Sequence, residues 1–155
     1  MANTYTQLYV QLVFSPMRRT ALITKDIETD LYKYISGIVH NKGHKMYCIN
    51  GTEDHIHIFL SMNPEQSVSS LTQDIKRSSS KWINDNKLSI GKFEWQPGFG
   101  AFTYSKSQVK YVINYIENQK ENHLKVSFLD EFKMFLKKYE VDFDEKYIFK
   151  EPTDV

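Results

Sequence analysis

The chain has 155 residues, 41% of them hydrophobic, enough for one well-filled core but not for two domains. Its 20 basic and 19 acidic residues leave a net charge of +1, so bulk charge excludes a broadly basic nucleic-acid binder and leaves only local patches for such a role. The lone Cys48 excludes an internal disulfide, the start lacks signal-peptide character, and no apolar run reaches the ~20 residues of a membrane helix.

A cytoplasmic protein is therefore expected, with residues 1–150 forming a single domain and 151–155 a polar tail. The 10 Tyr and 10 Phe suit either a large core or base-stacking surfaces.

In "YTQLYVQLVF", Leu8, Val10, Leu12 and Phe14 alternate onto one face of a strand that Ser15-Pro16 ends. "ITKDIETDLYKYISGIVHNKG" then spaces Ile27, Leu31, Ile35 and Ile38 as a helix, with Thr24 as N-cap and Gly43 past its end. "HKMYCI" and "HIHIFLS" flank Asn50-Gly51 and predict a hairpin turning at that dipeptide, with a somewhat extended loop.

Val68, Leu71, Ile75 and Trp82 mark a second helix capped by Ser67. "GKFEWQPGFGAFTYS" predicts strand interrupted by Pro97, Gly98 and Gly100. Ser105 and Gln108 have capping-box spacing at the head of one helix through "QVKYVINYIENQKENH". Phe128, Phe132, Phe135 or Leu136, and Tyr139 line a last one. The order β-α-β-β-α-β plus two helices predicts an α+β fold: a ferredoxin-like or RRM-like split βαβ antiparallel sheet, helices on one face, and C-terminal helices added.

Two positions on the third strand stand out. In "DHIHIFL", residues 54–60, alternation sends Ile56, Ile58 and Leu60 one way and His55, His57 and Phe59 the other. If the isoleucines face the helices, both imidazoles lie on the open face, about 6–7 Å apart at the backbone, close enough to converge on one ion. A solvated polar face accounts for the pair equally well. Further on, Tyr115 and Gln119 are four residues apart on a predicted helix and share a face, while Val112, Ile113 and Ile116 supply its apolar side.

The ordered set "HIH", "WQPGFGAF", "YIENQ" and "FLKKYEVDFDEKYIF" resembles the single-tyrosine HUH transposases of small bacterial insertion sequences, from the first strand to about Phe149. The resemblance implies a metal-dependent endonuclease and strand transferase acting on single-stranded DNA with hairpin ends. It implies Tyr115 as nucleophile, His55, His57 and Gln119 as metal ligands, and a homodimer with composite active sites. Arg18 and Arg19 fall where relatives carry basic residues, a looser match.

Two imidazoles and an amide oxygen leave coordination positions for water and a phosphate oxygen, and such oxygen partners suit Mg2+ or Mn2+. Attack by the phenol would leave a 5′-phosphotyrosine and a free 3′-OH, conserving the ester for rejoining without ATP. The base that activates the phenol is not identified by the sequence.

Lys76, Arg77 and Lys81 cluster among serines and could contact phosphates, or could form a solvated helix face. The glycines before the tyrosine helix suit a hinge or a plain turn. His123, one turn beyond Gln119, suits either an outer-shell position at the metal or a place in the fold alone. Three other activities stay open: a domesticated relative processing repeated palindromes, a non-catalytic single-stranded nucleic-acid-binding module, and a small metal-dependent hydrolase.

Overall fold

The computed structural model describes residues 3–17, 23–145 and 148, so Arg18, Arg19 and the 151–155 tail lie outside the described residues. Four strands, β1 (Tyr9–Phe14), β2 (Lys45–Thr52), β3 (His55–Ser61) and β4 (Gly100–Tyr104), form one sheet in the order β2-β3-β1-β4. Every pairing is antiparallel. The helices are α1 (Lys25–Asn41), α2 (Val68–Asp85), α3 (Val109–Glu117), α4 (Gln119–Asn122) and α5 (Phe128–Lys138). This is the α+β split-βαβ sheet predicted from the order of elements.

Alternation sorts the sheet's side chains. Val10, Leu12 and Phe14 of β1 join Ile56, Ile58 and Leu60 of β3 in a core with Ile27, Leu31 and Ile35 of α1 and Leu71 and Ile75 of α2. Burying each large aliphatic side chain there contributes about 1.5–3 kcal/mol before chain entropy is counted. Val68 and Trp82 of α2 pack against this core at its edge, and the half-buried Trp82 also stacks on Tyr34, ring centroids 4.7 Å apart.

The opposite face is also covered. Val109, Val112 and Ile116 of α3 pack on Tyr9 and Phe59, and Phe132 and Phe135 of α5 meet Phe102 of β4 at 6.5 and 5.3 Å between centroids. Gly100 has no Cβ for a reason here: one would lie 2.6 Å from the Phe132 ring. So the expected open face is not open; His55 and His57 are 0% exposed. The aromatic helix α5 carries enough apolar surface to close over them.

Three local expectations are corrected. The β2–β3 hairpin turns at Glu53-Asp54, and Asn50-Gly51 lies inside β2, paired with His57 and Ile56. Tertiary contact overrides the turn preference: the Asn50 Nδ2 donates to the carbonyls of Ile116 and Glu117, both at 3.0 Å, at the end of α3. A Cβ on Gly51 would sit 2.1 Å from the His55 carbonyl oxygen.

The helix expected to run continuously through Gln119 is broken. It opens with a short 3-10 turn, Lys106–Gln108, behind the predicted Ser105/Gln108 capping box, and α3 stops at Asn118 (φ −96, ψ 17) before α4 begins. Thr24 stands at the N-cap of α1 but makes no capping hydrogen bond through its side chain. Among the described residues, no helix is long and apolar enough to cross a membrane.

Candidate active site

His55 and His57 project from β3 with ring centroids 5.0 Å apart. Each ring is steered by a partner on Nδ1. The Nδ1 of His55 lies 2.8 Å from Asp54 Oδ1 and 2.9 Å from Thr52 Oγ1. His57 Nδ1 donates to Gln11 Oε1 at 2.6 Å, and Gln11 in turn donates its Nε2 to the Tyr104 hydroxyl at 2.6 Å. Both rings are thereby turned to present Nε2 to the same point, the orientation that outer hydrogen bonds give to metal-binding histidines. Phe128 stacks on His55 at 4.3 Å and 8°, shutting that side from water.

Three further elements close on this point. Gln119, the first residue of α4, accepts from His55 Nε2 through its Oε1 at 2.9 Å and donates its Nε2 to Glu131 Oε2 at 3.2 Å. Tyr115 of α3 donates its phenol to the same Glu131 Oε2. From α5, Glu131 sets Oε1 3.1 Å from His57 Nε2, 3.1 Å from His123 Nε2 and 3.8 Å from His55 Nε2. The expected quartet of His55, His57, Tyr115 and Gln119 is thus brought together, although the tyrosine and glutamine stand on separate helices.

Charge is distributed unevenly. Burial favours the neutral acid at Glu131, yet its contacts, chiefly that with His123, outweigh that and hold the carboxyl well below the usual carboxylate range. Burial pushes His57 below the usual imidazole value. Burial and the adjoining Glu131 carboxylate push the Tyr115 phenol upward, so the proton between them rests on Oη. His123 is raised: the carboxylate of Glu131 overcomes the effect of burial.

Sequence reasoning missed Glu131 and placed His123 at most in the outer shell of the site. A signal for Glu131 existed: it falls on the same stripe as Phe128 and Phe135, and a carboxylate on the buried stripe of an amphipathic helix requires a partner. Gln11, polar within a wholly buried strand, was a similar signal.

The residues fit a divalent ion. The ligand atoms of His55, His57, His123 and Glu131 all lie within 4.8 Å of one another. With its Nδ1 proton committed to Gln11, a neutral His57 turns the Nε2 lone pair toward Glu131 Oε1, so two acceptors face each other and call for a cation or a proton between them.

The basic cluster on α2 is otherwise engaged. Lys76 is half-buried, its Nζ donating to the Gln96 carbonyl at 2.9 Å and lying 5.3 Å from the Phe14 ring centroid. Arg77 pairs with Asp74 at 3.0 Å and Lys81 with Asp85 at 2.5 Å, both exposed pairs that a phosphate could displace. Gly98, at φ +87, serves a turn.

The site is thus a split-βαβ sheet whose strand histidines and a helical tyrosine converge on one buried centre. The sequence model of the IS200-like transposases matches residues 4–119, and the chain belongs to that family. Two solved structures share the fold. A Deinococcus radiodurans R1 protein assigned as a transposase aligns with a TM-score of 0.59 at 18% identity, covering 76% of this chain and 94% of that one. A REP-associated tyrosine transposase bound to a REP hairpin aligns with a TM-score of 0.60 at 13% identity, covering 99% of this chain and 92% of that one. No curated protein matches the sequence.

Proposed function

We propose that this protein cuts and rejoins single-stranded DNA next to hairpins, with Tyr115 as nucleophile. The observation that carries the reading is the contact of the Tyr115 phenol with the carboxylate that also touches His57, so that nucleophile and phosphate-binding centre share one point. A non-catalytic binding sheet has no use for that convergence.

His55, His57 and Gln119 would hold the divalent ion. When bound, it supplies Lewis-acid polarisation of a non-bridging phosphate oxygen. Phe128 and α5 exclude water from the histidines, and Gln11 and Asp54 fix the ring orientations. As the Tyr115 phenol proton leaves through Glu131 Oε2, Oη bonds to phosphorus and the P–O3′ bond breaks, that proton ending on the departing 3′ oxygen; the 5′ phosphate stays on the tyrosine until a 3′-OH reverses the step.

Tyr115 borders a cavity of about 330 Å³ lined also by Tyr104, Tyr111, Met134 and Phe135. Its aromatic walls suit an unpaired nucleotide beside the scissile phosphate. The structural neighbour bound to a REP hairpin supports a hairpin as the DNA feature recognised.

The test is to incubate the protein with single-stranded hairpins from its own genomic flanks and Mg2+ or Mn2+, then to look for a protein–DNA adduct that survives denaturation. Wild type forms it and Tyr115→Phe does not; an adduct from Tyr115→Phe, or none from wild type across the panel, overturns the reading.

A further inference from the structure

Glu131 and His123 lie outside the ligand set that the family resemblance implies, yet their ligand atoms lie within 4.8 Å of those of His55 and His57. Ligands about 2.1 Å from one ion are separated by roughly 3.0–3.4 Å at octahedral or tetrahedral angles. The Glu131 Oε1 lies 3.1, 3.1 and 3.8 Å from the Nε2 atoms of His57, His123 and His55, near those edges before any ion draws them in.

His123 adds an independent observation. Its side chain is only 9% exposed, and its Nε2 is buried without a hydrogen bond, since the approach to Glu131 is close but off-line. An imidazole nitrogen shut from water and aimed at a carboxylate and two other imidazoles forgoes its hydrogen bond unless something binds there. The two Glu131 oxygens also divide their work: Oε1 faces the imidazoles, while Oε2 takes the Tyr115 phenol and the Gln119 amide.

We propose that His123 and Glu131 bind the ion together with His55 and His57, so that the C-terminal helix α5 supplies a ligand and is pinned to the sheet by the metal. The proposal rests on the metal reading above and extends it. Gln119 keeps its place beside them, its Oε1 2.9 Å from His55 Nε2. Three imidazoles and one carboxylate make a nitrogen-rich set, which favours a borderline transition ion such as Co2+, Zn2+ or Mn2+ over Mg2+, a hard ion that seeks oxygen and keeps its water.

The closing experiment titrates the full-length, metal-free protein with Co2+ and with Mg2+ in the absence of DNA. Binding is followed by visible Co2+ absorption and calorimetry, and α5 by amide hydrogen exchange with and without Co2+. Wild type should take up one Co2+ far more tightly than Mg2+, with exchange in α5 slowed on binding. Glu131→Gln and His123→Ala should each bind Co2+ 10–100-fold more weakly and lose that slowing in α5. His55→Ala and His57→Ala should bind more weakly still.

Unchanged Co2+ affinity in both Glu131→Gln and His123→Ala, with loss in the strand-histidine variants, overturns this proposal and leaves the metal reading intact. No Co2+ or Mg2+ binding by wild type overturns both. Should Glu131→Gln fail to fold by circular dichroism, His123→Ala carries the test, because that ring lies on the loop after α4 rather than within a packed helix.

Discussion

Gly51 is two residues from a turn, yet its constraint comes from the third dimension: its α-carbon faces the His55 carbonyl so closely that any Cβ would strike backbone at 2.1 Å. Gly51→Ala must therefore push β2 away from the first ligand-bearing residue of β3. The expected cost is about 1–3 kcal/mol, the range for overpacking, read as a lower urea midpoint with unchanged slope. A variant as stable as wild type would mean that the hairpin has slack that the geometry denies. The histidines themselves were legible at this scale, since alternation placed both rings on one side of β3. Their burial was not legible, because alternation reports which side a residue faces and nothing of what covers that side.

At the scale of elements, β1, β3, α1, α2 and α5 could be read from periodicity. The break at Asn118 could not, because it depends on partners remote in sequence: Asn50 capping the carbonyls at the end of α3, and Lys120 tying α4 to Glu28 of α1 and, at 2.8 Å, to Asn50 Oδ1. The Asn50-Gly51 signal failed for the same reason, its turn chemistry being outvoted by tertiary contacts. The N-terminus of α5 is held by Ser127, whose hydroxyl accepts from the Asp130 amide at 3.2 Å. Ser127→Ala should cost about 1 kcal/mol. Amide hydrogen exchange in the metal-free protein should locate the loss, with α5 exchanging faster and β1 and β3 unchanged; equal acceleration everywhere would mean that α5 opens only with the whole fold.

At the scale of the molecule, the sheet is sandwiched: α1 and α2 stabilise one face, and α3, α4 and α5 close the histidine cluster on the other. The resemblance implied composite sites shared between two subunits, whereas in this chain Tyr115 already stands beside its own His57, ring centroids 6.2 Å apart. That arrangement predicts catalysis within one chain. A mixture of Tyr115→Phe and His57→Ala proteins should then form no covalent adduct with hairpin DNA, while either one mixed with wild type retains the wild-type share. Restored adduct in the double-variant mixture would demonstrate exchange of the tyrosine helix between subunits. Fold and strand motif were thus legible in the sequence, but the fifth helix's part in the centre was not, because a single glutamate among phenylalanines announces burial without naming its partner.

The Asn50 pin also bears on how this protein ages. Asparagine is thermolabile, and hydrolysis of its side-chain amide on storage or heating leaves aspartate. At position 50 that change would remove the donor shared by the Ile116 and Glu117 carbonyls, while the new carboxylate would stay beside Lys120 Nζ, which already lies 2.8 Å from Oδ1. A one-dalton change in mass would loosen the helix that carries Tyr115 while leaving the histidines untouched, so an old preparation would lose its grip on the nucleophile before it lost its fold.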